Sequence, residues 1–221
     1  MKKFLCVLLL ALVLFGVFSN YGSVSGANSG PDVQKSISKK IIRFHVLANS
    51  DSDTDQNLKL NVKDNVLSYI YPKLKNSKSI EESRDILKKN DSSIRNVALN
   101  TIRKAGFNYK VKTMLSNENF PIKSYGAIVL PEGNYEAYRI IIGDGNGHNW
   151  WCVMFPPLCF IDITKGDVSY KKTEDEMKKV LNKKEFEEVD NKKGILTPVE
   201  VNGQNINIKF KIVELLKKLI K

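Results

Sequence analysis

Apolar and polar residues alternate with a period of two where the chain first becomes regular, at residues 41–48. Ile42, Phe44 and Val46 fall on one side of this stretch, whereas Arg43 and His45 fall on the other. Successive side chains of a strand point to opposite faces, so the pattern predicts a strand with one apolar and one polar face. Arg43 and His45 are therefore expected to lie together on the polar face.

Apolar residues then recur with a helical period over residues 52–105. Ser52 or Asp53 is suited to cap the first helix, and Pro72 is expected to end it because proline lacks the amide hydrogen that a helix interior uses. Ser79 followed by Glu82 matches a capping box that opens the next helix. The predicted helices run from Ser52 or Asp53 to Pro72, from Ser79 to about Lys89, and from Asp91 to Ala105, with Gly106 just beyond the last.

The period returns to two after Gly106. The predicted elements are a strand at 107–115, a hairpin of 125–130 and 135–142 around a turn at 131–134, a strand at 150–155, a charged helix at 173–182, a strand at 205–210 and a terminal helix. There are no internal repeats. This mixture predicts a single α+β domain, with helices packed on an antiparallel or mixed sheet.

The first 27 residues have the pattern of an export signal. Two lysines precede an apolar run at residues 4–18, and small residues follow up to Ala27. We expect cleavage after Ala27, and an uncleaved membrane anchor formed by residues 4–18 is the alternative. Small polar residues dominate 28–40 and predict a flexible leader. Residues 41–221 are then the exported domain.

The chain is strongly basic, with 35 Lys and Arg against 24 Asp and Glu and a formal charge of +11. Lysines and glutamates interleave at residues 171–184, which is typical of a solvated helix surface. A basic exported protein is attracted to anionic membrane surfaces, so weak contact with such a surface is expected. Dispersed lysines and export together argue against a nucleic-acid partner.

Unusual side chains are concentrated at residues 143–162, which contain both tryptophans, His148 and two of the three cysteines. Three glycines at 143, 145 and 147 allow a tight or positive-φ backbone turn. Trp150 and Trp151 are expected to point to opposite faces of a strand that ends at Pro156-Pro157. One indole can then be buried while the other faces a rim or a partner.

Cys152 and Cys159 allow more than one interpretation. In an oxidising compartment, two cysteines at this separation predict a disulfide. Alternatively, Cys152 with His45 or His148 as base is a candidate nucleophile for a cell-wall-directed hydrolase. A purely structural role is the third possibility. The spacing of these cysteines and histidines fits no common zinc pattern.

Two further motifs fail as ligand sites. Asp51, Asp53 and Asp55 have the spacing of the first positions of a calcium loop, but Gln56 stands where that loop needs a glycine, so helix capping is preferred. The glycines at 143–147 are not followed by the lysine–serine pair of a phosphate loop. We therefore expect no metal and no cofactor.

Two stretches resemble the stage II sporulation protein R family. The first runs from Ile42 to Asp51, Ile-Arg-Phe-His-Val-Leu-Ala-Asn-Ser-Asp, with Asp55-Gln56 and Leu58-Lys-Leu60 behind it. The second includes Tyr125-Gly126, Leu130-Pro131, Gly133 to Ala137, Arg139-Ile140, Ile142-Gly143, Asn149-Trp-Trp-Cys-Val153 and Phe155-Pro-Pro-Leu-Cys-Phe160. The resemblance covers residues 41–162, and nothing is carried over to the remainder.

This resemblance implies a signalling ligand, not an enzyme. Proteins of the family are exported by the forespore into the septal intermembrane space, where they trigger a membrane-bound aspartic protease that processes a sigma-factor precursor. If the two predicted strands that carry Arg43, His45 and Arg139 are neighbours, those residues form a basic patch beside the indoles. The candidate partner contacts are therefore Arg43, His45, Arg139, His148, Trp150 and Trp151.

Overall fold

The computed structural model of the chain describes residues 31–161 and 167–191. Five helices and six strands lie in these ranges, and one turn of 3₁₀ helix follows the last strand. In chain order the elements are α1 Pro31–Ser38, β1 Ile42–Leu47, α2 Asp53–Leu74, α3 Ile80–Lys104, β2 Val111–Phe120, β3 Lys123–Tyr125, β4 Ile128–Leu130, β5 Gly133–Ile142, β6 Asn149–Phe155, the 3₁₀ turn Leu158–Phe160, α4 Asp167–Val180 and α5 Lys183–Val189.

Four strands form a mixed sheet in the order β2-β5-β1-β6. The central strands β1 and β5 are parallel, with His45 beside Arg139. β6 and β2 run antiparallel to their neighbours and form the two edges. β3 and β4 pair in a separate two-stranded sheet. The α+β fold with a mixed sheet is thereby confirmed.

Helices α2 and α3 cover one side of the sheet, which we call the helix face. Phe44 of β1, Tyr138 of β5 and Cys152 of β6 point into this layer. They meet the apolar stripe of α2, including Val62 and Val66, which are fully buried. Burial of such aliphatic and aromatic side chains is the main stabilising contribution to the fold.

The opposite side of the sheet is covered only in part by the described elements. At the lower end, near Ala137 and Val153, a second core forms with apolar residues of α1, β4, α4 and α5. At the upper end, near Leu47 and Ile141, the side chains stay half-exposed. This upper, half-exposed region contains most of the residues singled out by the sequence.

Two predicted helix boundaries are wrong. Pro72 lies inside α2, which continues to Leu74 because Leu74 is buried in the core. The two helices expected on either side of position 90 are one helix, α3, because Leu87 and Ile94 continue a single buried stripe. Asp91 does not cap a helix, since its carboxylate accepts hydrogen bonds from Tyr138 and Arg95 instead.

The caps themselves follow the sequence pattern. Ser52 and Ser79 are the N-caps of α2 and α3, and each hydroxyl accepts a backbone N–H three residues on. Gly106, with φ +84°, follows the end of α3. Its N–H donates to Arg103, and the N–H of Phe107 donates to Ile102, which is the hydrogen-bond pattern of a Schellman motif.

The predicted strand pairing also differs from the structure. The strand expected at 107–115 begins at Val111 and continues to Phe120. β4 and β5 do not form a hairpin with each other: β5 pairs along its whole length with β2, and β4 pairs with β3. Pairing β5 between β2 and β1 satisfies the backbone groups on both of its edges, which a hairpin with the short β4 does not.

Residues 31–38, expected in a flexible leader, form helix α1, and Ile37 of this helix is fully buried. The charged helix expected at 173–182 is present as α4 but begins earlier. Helix α5 was not predicted, although Asn182 and Glu185 form its capping box.

The export signal, the strand at 205–210 and the terminal helix lie outside the described residues. Within the described ranges, no helix is both long and apolar enough to cross a membrane.

Candidate partner-binding face

The loops that follow β1 and β5 interlock at the upper edge of the sheet. The N–H groups of Asn146 and Gly147 donate to the carbonyls of Asn49 and Ala48 at 3.2 and 3.0 Å. The N–H of Asp144 donates to the side-chain oxygen of Asn49 at 3.1 Å. The two stretches that carry the family resemblance thus meet in one loop junction.

Glycines make this close approach possible. Gly143 has φ +58°, and a Cβ there would lie 2.1 Å from the Asn49 Oδ1 atom. A Cβ on Gly147 would lie 2.1 Å from the backbone oxygen of Ser50. Positive φ is confirmed at Gly143 and Gly145. Gly143 and Gly147 serve loop packing, because a side chain at either position would push the two loops apart.

Asp55 secures the junction from below. Its carboxylate accepts hydrogen bonds from Asn49 Nδ2 at 2.8 Å and from Ser50 Oγ at 2.5 Å. Burial alone would raise the pKa of Asp55, but hydrogen bonds from Ser50, Asn49 and Tyr109 outweigh it and lower the pKa. A carboxylate engaged in this way acts as a structural acceptor.

Lys59 ties helix α2 to the same junction. Its ammonium donates to the carbonyl of His148 at 2.9 Å and to Gln56 Oε1 at 2.5 Å, and the residue is only 5 % exposed. Burial lowers the pKa of Lys59, partly offset by the nearby Asp51 carboxylate. The backbone of the loop before β6 is therefore fixed from two sides.

His148 is displayed at the top of this junction. Its imidazole is largely exposed, and Nδ1 lies 2.5 Å from Asp51 Oδ1. The same carboxylate oxygen accepts the His148 backbone N–H. His148 is therefore held in place yet accessible, as a contact residue requires.

The half-exposed upper part of the sheet contains the candidate contact residues Arg139 and Trp151, and we call this surface the open face. Register places His45 between Arg139 and Trp151, and Leu47 between Ile141 and Asn149. His45 itself is buried, whereas its neighbours on this face are half-exposed. The open face consists of Met114, Arg139, His45, Trp151, Ile141, Leu47 and Asn149, with Glu118 and Arg43 at its lower border.

Arg139 is the accessible cation of the open face. Its Nη1 atom lies 2.5 Å from Glu118 Oε1 and 3.8 Å from the sulfur of Met114. The Nε atom is buried and has no hydrogen-bond partner among the described residues. Part of the donor capacity of this guanidinium is therefore unused.

His45 is sandwiched within the open face. Its ring stacks on Trp151, with centroids 4.0 Å apart, and meets Phe120 edge-on at 5.8 Å. Burial lowers the pKa of His45 to about 4; the side chain of Asn149 raises it in part, and Arg139 lowers it further. Asn149 is close enough to affect the ring, although neither imidazole nitrogen reaches hydrogen-bond geometry with a described residue. His45 is consequently neutral near pH 7.

Arg43 lies deeper on the same side of the sheet and is fully buried. Its guanidinium carbon is 4.3 Å from the centroid of the Phe120 ring and 4.9 Å from that of Tyr135, and Nη2 donates to Tyr125 Oη at 3.2 Å. The Nε and Nη1 atoms have no hydrogen-bond partner among the described residues. Aromatic faces attract this cation without neutralising it.

The two tryptophans point to opposite faces, as predicted. Trp151 belongs to the open face, whereas Trp150 packs edge-on against Phe44 of the helix face, with ring centroids 5.8 Å apart. Lys63 Nζ lies 4.9 Å from the Trp150 ring. Both indoles are half-buried.

The structure therefore brings only some of the six candidate contact residues together. Neighbouring strands unite Arg43, His45 and Arg139 beside Trp151, as expected, but Arg43 and His45 are buried and cannot be surface contacts in this arrangement. Trp150 lies on the other face of the sheet. His148 lies above the sheet, on the loop before β6.

Cys152 and Cys159 are free thiols in the structure. Cys159 donates to the carbonyl of Val153 at 2.9 Å. Burial raises the pKa of the Cys159 thiol, and the neighbouring Cys152 side chain raises it further. The two sulfurs are thus close neighbours, and the disulfide stays a prediction.

The residues proposed for a thiol nucleophile are spread apart. Cys152 is buried in the helix face, whereas His45 lies on the opposite side of the sheet against Trp151. His148 is largely exposed and engaged with Asp51. Across residues 31–161 and 167–191, no cluster of histidine, cysteine and acidic side chains has the arrangement of a metal site.

Phe120 and Glu118 are site residues that the sequence analysis missed. Phe120 contacts Arg43, His45 and Trp151 from the far end of β2. Both residues lie beyond the predicted end of their strand. Residues 116–119 are all polar, so no alternation of apolar and polar residues indicated that the strand continues to Phe120.

The fold and this surface define a small α+β domain that displays a mixed apolar and cationic sheet face. A family model described as stage II sporulation protein R matches residues 38–165. The curated stage II sporulation protein R of Bacillus subtilis (strain 168) is 35% identical over 223 residues, covering 99% of this chain and 99% of that relative. The chain therefore belongs to the stage II sporulation protein R family, as the resemblance predicted, and has a role in sporulation. No solved structure matches it at a significant level.

Proposed function

We propose that this chain is an exported ligand that activates a membrane-bound aspartic protease at the sporulation septum, leading to processing of a sigma-factor precursor. Family membership supports the sporulation role. The open face supports the binding role, because a half-exposed tryptophan beside an arginine with unused donors is typical of residues that dominate protein interfaces.

Export is part of this proposal. The basic and apolar pattern of residues 1–27 is that of a signal peptide, with an uncleaved anchor at residues 4–18 as the alternative. The ligand would act from the forespore side of the septal intermembrane space. The charge of +11 favours weak attraction to anionic membranes, which would concentrate the ligand near a membrane-bound partner.

The proposed activity is allosteric and not hydrolytic. Cys152 and His45 lie on opposite sides of the sheet, so their placement does not favour a cell-wall hydrolase. Binding energy at the open face would instead favour the active state of the protease.

Co-expression tests the proposal. Vegetative cells would produce the sigma-factor precursor and the candidate protease, with or without the exported chain. We expect precursor cleavage only when all three proteins are present and the chain retains its export signal. Precursor cleavage in cells that lack the chain would refute activation of the protease, and so would the absence of cleavage in cells that produce all three proteins. A Cys152→Ala variant that activates normally would further exclude a thiol mechanism.

A further inference from the structure

Among the described residues, positive charge exceeds negative charge on the side of the sheet that carries the open face. Register aligns Lys112, Arg139 and Arg43 on this side of the sheet, and Glu118 is the carboxylate paired with Arg139. The single Glu118 carboxylate cannot balance the three cations, and buried Arg43 contacts aromatic rings and a phenol instead of an acid. A buried guanidinium without a counter-ion is costly, so this surface favours the arrival of an anion.

Unpartnered hydrogen-bond donors add to the positive potential at and beneath this surface. Arg139 Nε is buried and unpartnered within the described ranges, as are Arg43 Nε and Nη1 beneath it. The Arg139 side chain is 17% exposed, so it is the guanidinium that an incoming group can reach. Arg43 lies deeper and adds positive potential without direct contact.

Much of the surface around Arg139 is apolar. Trp151, Ile141, Leu47 and Met114 are half-exposed and lie on the same face. A free inorganic anion would leave this apolar surface in water. A ligand that fits both features carries a carboxylate between apolar side chains.

We propose that the open face binds a segment of a protein partner in which one Asp or Glu side chain lies between apolar residues. The carboxylate accepts hydrogen bonds from Arg139, and the apolar neighbours cover Trp151, Ile141 and Leu47. Assignment of that segment to the membrane-bound protease rests on the proposed function above. The chemistry of the segment rests on the open face alone.

Glu118 has a specific consequence in this arrangement. It occupies one side of the Arg139 guanidinium at 2.5 Å and so competes with the incoming carboxylate. Removing the Glu118 charge should strengthen binding, whereas removing the Arg139 charge should weaken it. A purely structural ion pair would make both changes act in the same direction.

The experiment uses the full chain and synthetic peptides that tile the exposed domain of the protease, each with a matched peptide in which Asp and Glu are replaced by Asn and Gln. Binding is followed by tryptophan fluorescence. We expect one acidic–apolar peptide to bind about tenfold more tightly than its amide form, a difference of about 1.4 kcal/mol, because a charge-assisted hydrogen bond is stronger than a neutral one. Arg139→Gln should abolish that preference, and Glu118→Gln should tighten binding.

Arg84→Gln is the matched control. Arg84 also forms an ion pair with a β5 glutamate, Glu136 at 2.7 Å, but extends from α3 on the helix face. This variant should bind the acidic peptide as the unchanged chain does. Circular dichroism of each variant verifies that it is folded. If Arg139→Gln does not fold, the effect of Glu118→Gln on peptide binding still decides the test.

Several outcomes would overturn the proposal. These are equal binding of the acidic and amide peptides, weaker binding by Glu118→Gln, or Arg139-dependent binding of phosphatidylglycerol vesicles with no peptide binding. Sodium acetate that binds as well as the best peptide would also contradict a protein segment as ligand. If the chain activates precursor cleavage yet binds no acidic peptide, the proposed function stands and this inference fails. If a peptide binds but cleavage is not activated, the inference stands and the proposed function fails.

Discussion

The imidazole of His45 lies almost parallel to the indole of Trp151, with 16° between the ring planes and 4.0 Å between the centroids. Trp151 is half-exposed, whereas His45 beneath it is 4 % exposed. The tryptophan therefore shields the histidine from water. One aromatic contact determines both the surface available to a partner and the protonation of a buried base.

Replacing Trp151 by alanine should uncover His45. Because burial is the largest cause of the lowered pKa, we expect the His45 pKa to rise from about 4 towards 6.5 in the Trp151→Ala variant. NMR titration of the imidazole measures this shift. An unchanged pKa would show that burial by Trp151 is not the cause.

Protonation of His45 should also make stability depend on pH. Its folded pKa lies below its unfolded value of 6.5, so the unfolded chain binds more protons as pH falls from 6.5 towards 4. The stability present above pH 6.5 is therefore lost over this window, by at most about 3 kcal/mol. The pKa values of Asp55, Asp91 and Glu185 are lowered from ordinary values of 3.8 to 4.5, so these acids affect stability mainly at lower pH.

Urea unfolding at pH 7 and pH 5 checks this dependence. In the His45→Phe variant, the free energy of unfolding should differ little between pH 7 and pH 5. The His148→Gln variant should keep the difference seen in the unchanged chain. The surroundings of His45 include Arg43, Arg139 and Glu118, so their variants serve as additional checks. The same pH dependence in His45→Phe as in the unchanged chain would contradict the assignment.

Asp55→Asn should weaken the loop junction. The substitution removes a charged acceptor of hydrogen bonds from Asn49 and Ser50, and we expect the free energy of unfolding to fall by about 2 kcal/mol. Asp53→Asn is the matched control: it is exposed in the first turn of α2 and should cost less than about 1 kcal/mol. Denaturant titration compares the two, and equal effects would mean that Asp55 serves only the helix dipole.

Cys152 and Cys159 should form a disulfide after export, since their thiols are close neighbours. Mass spectrometry of the extracellular protein should show a mass lower by the two thiol hydrogens. The bond would stabilise the fold by about 2–3 kcal/mol at most. A Cys159→Ser variant cannot form it and sets the reduced reference. Two free thiols in exported protein would exclude the bond and leave Cys152 as a small buried residue beside the half-buried Cys159.

The alternation around Arg43 and His45 correctly predicted both their strand and their shared face. It could not predict that Phe120, from the far end of β2, would bury Arg43 and contact His45. Strand partners are set by contacts distant in sequence, whereas periodicity reports only the local face. This is why Arg43 and His45 appeared to be surface contacts.

The sequence predicted helix ends correctly where the capping interaction lies within a few residues of the helix end. Ser52, Ser79 and Gly106 mark helix ends in the structure because a hydroxyl or a missing Cβ satisfies the helix terminus itself. Asp91 has the same capping potential, yet Tyr138 of β5 and Arg95 occupy its carboxylate. Because these contacts engage the carboxylate, Asp91 does not cap a new helix, and residues 80–104 form one long helix.

Precursor cleavage with open-face and helix-face variants tests the central claim most directly. Full chains with Trp151→Ala or Arg139→Gln would be co-expressed with the protease and its substrate, beside Arg84→Gln as a folded control. We predict that both open-face variants are exported in normal amount but lose activation, with a loss of about 2 kcal/mol or more in binding for Trp151→Ala, while Arg84→Gln activates normally. Full activation by folded Trp151→Ala and Arg139→Gln would contradict the open face as the surface that binds the protease.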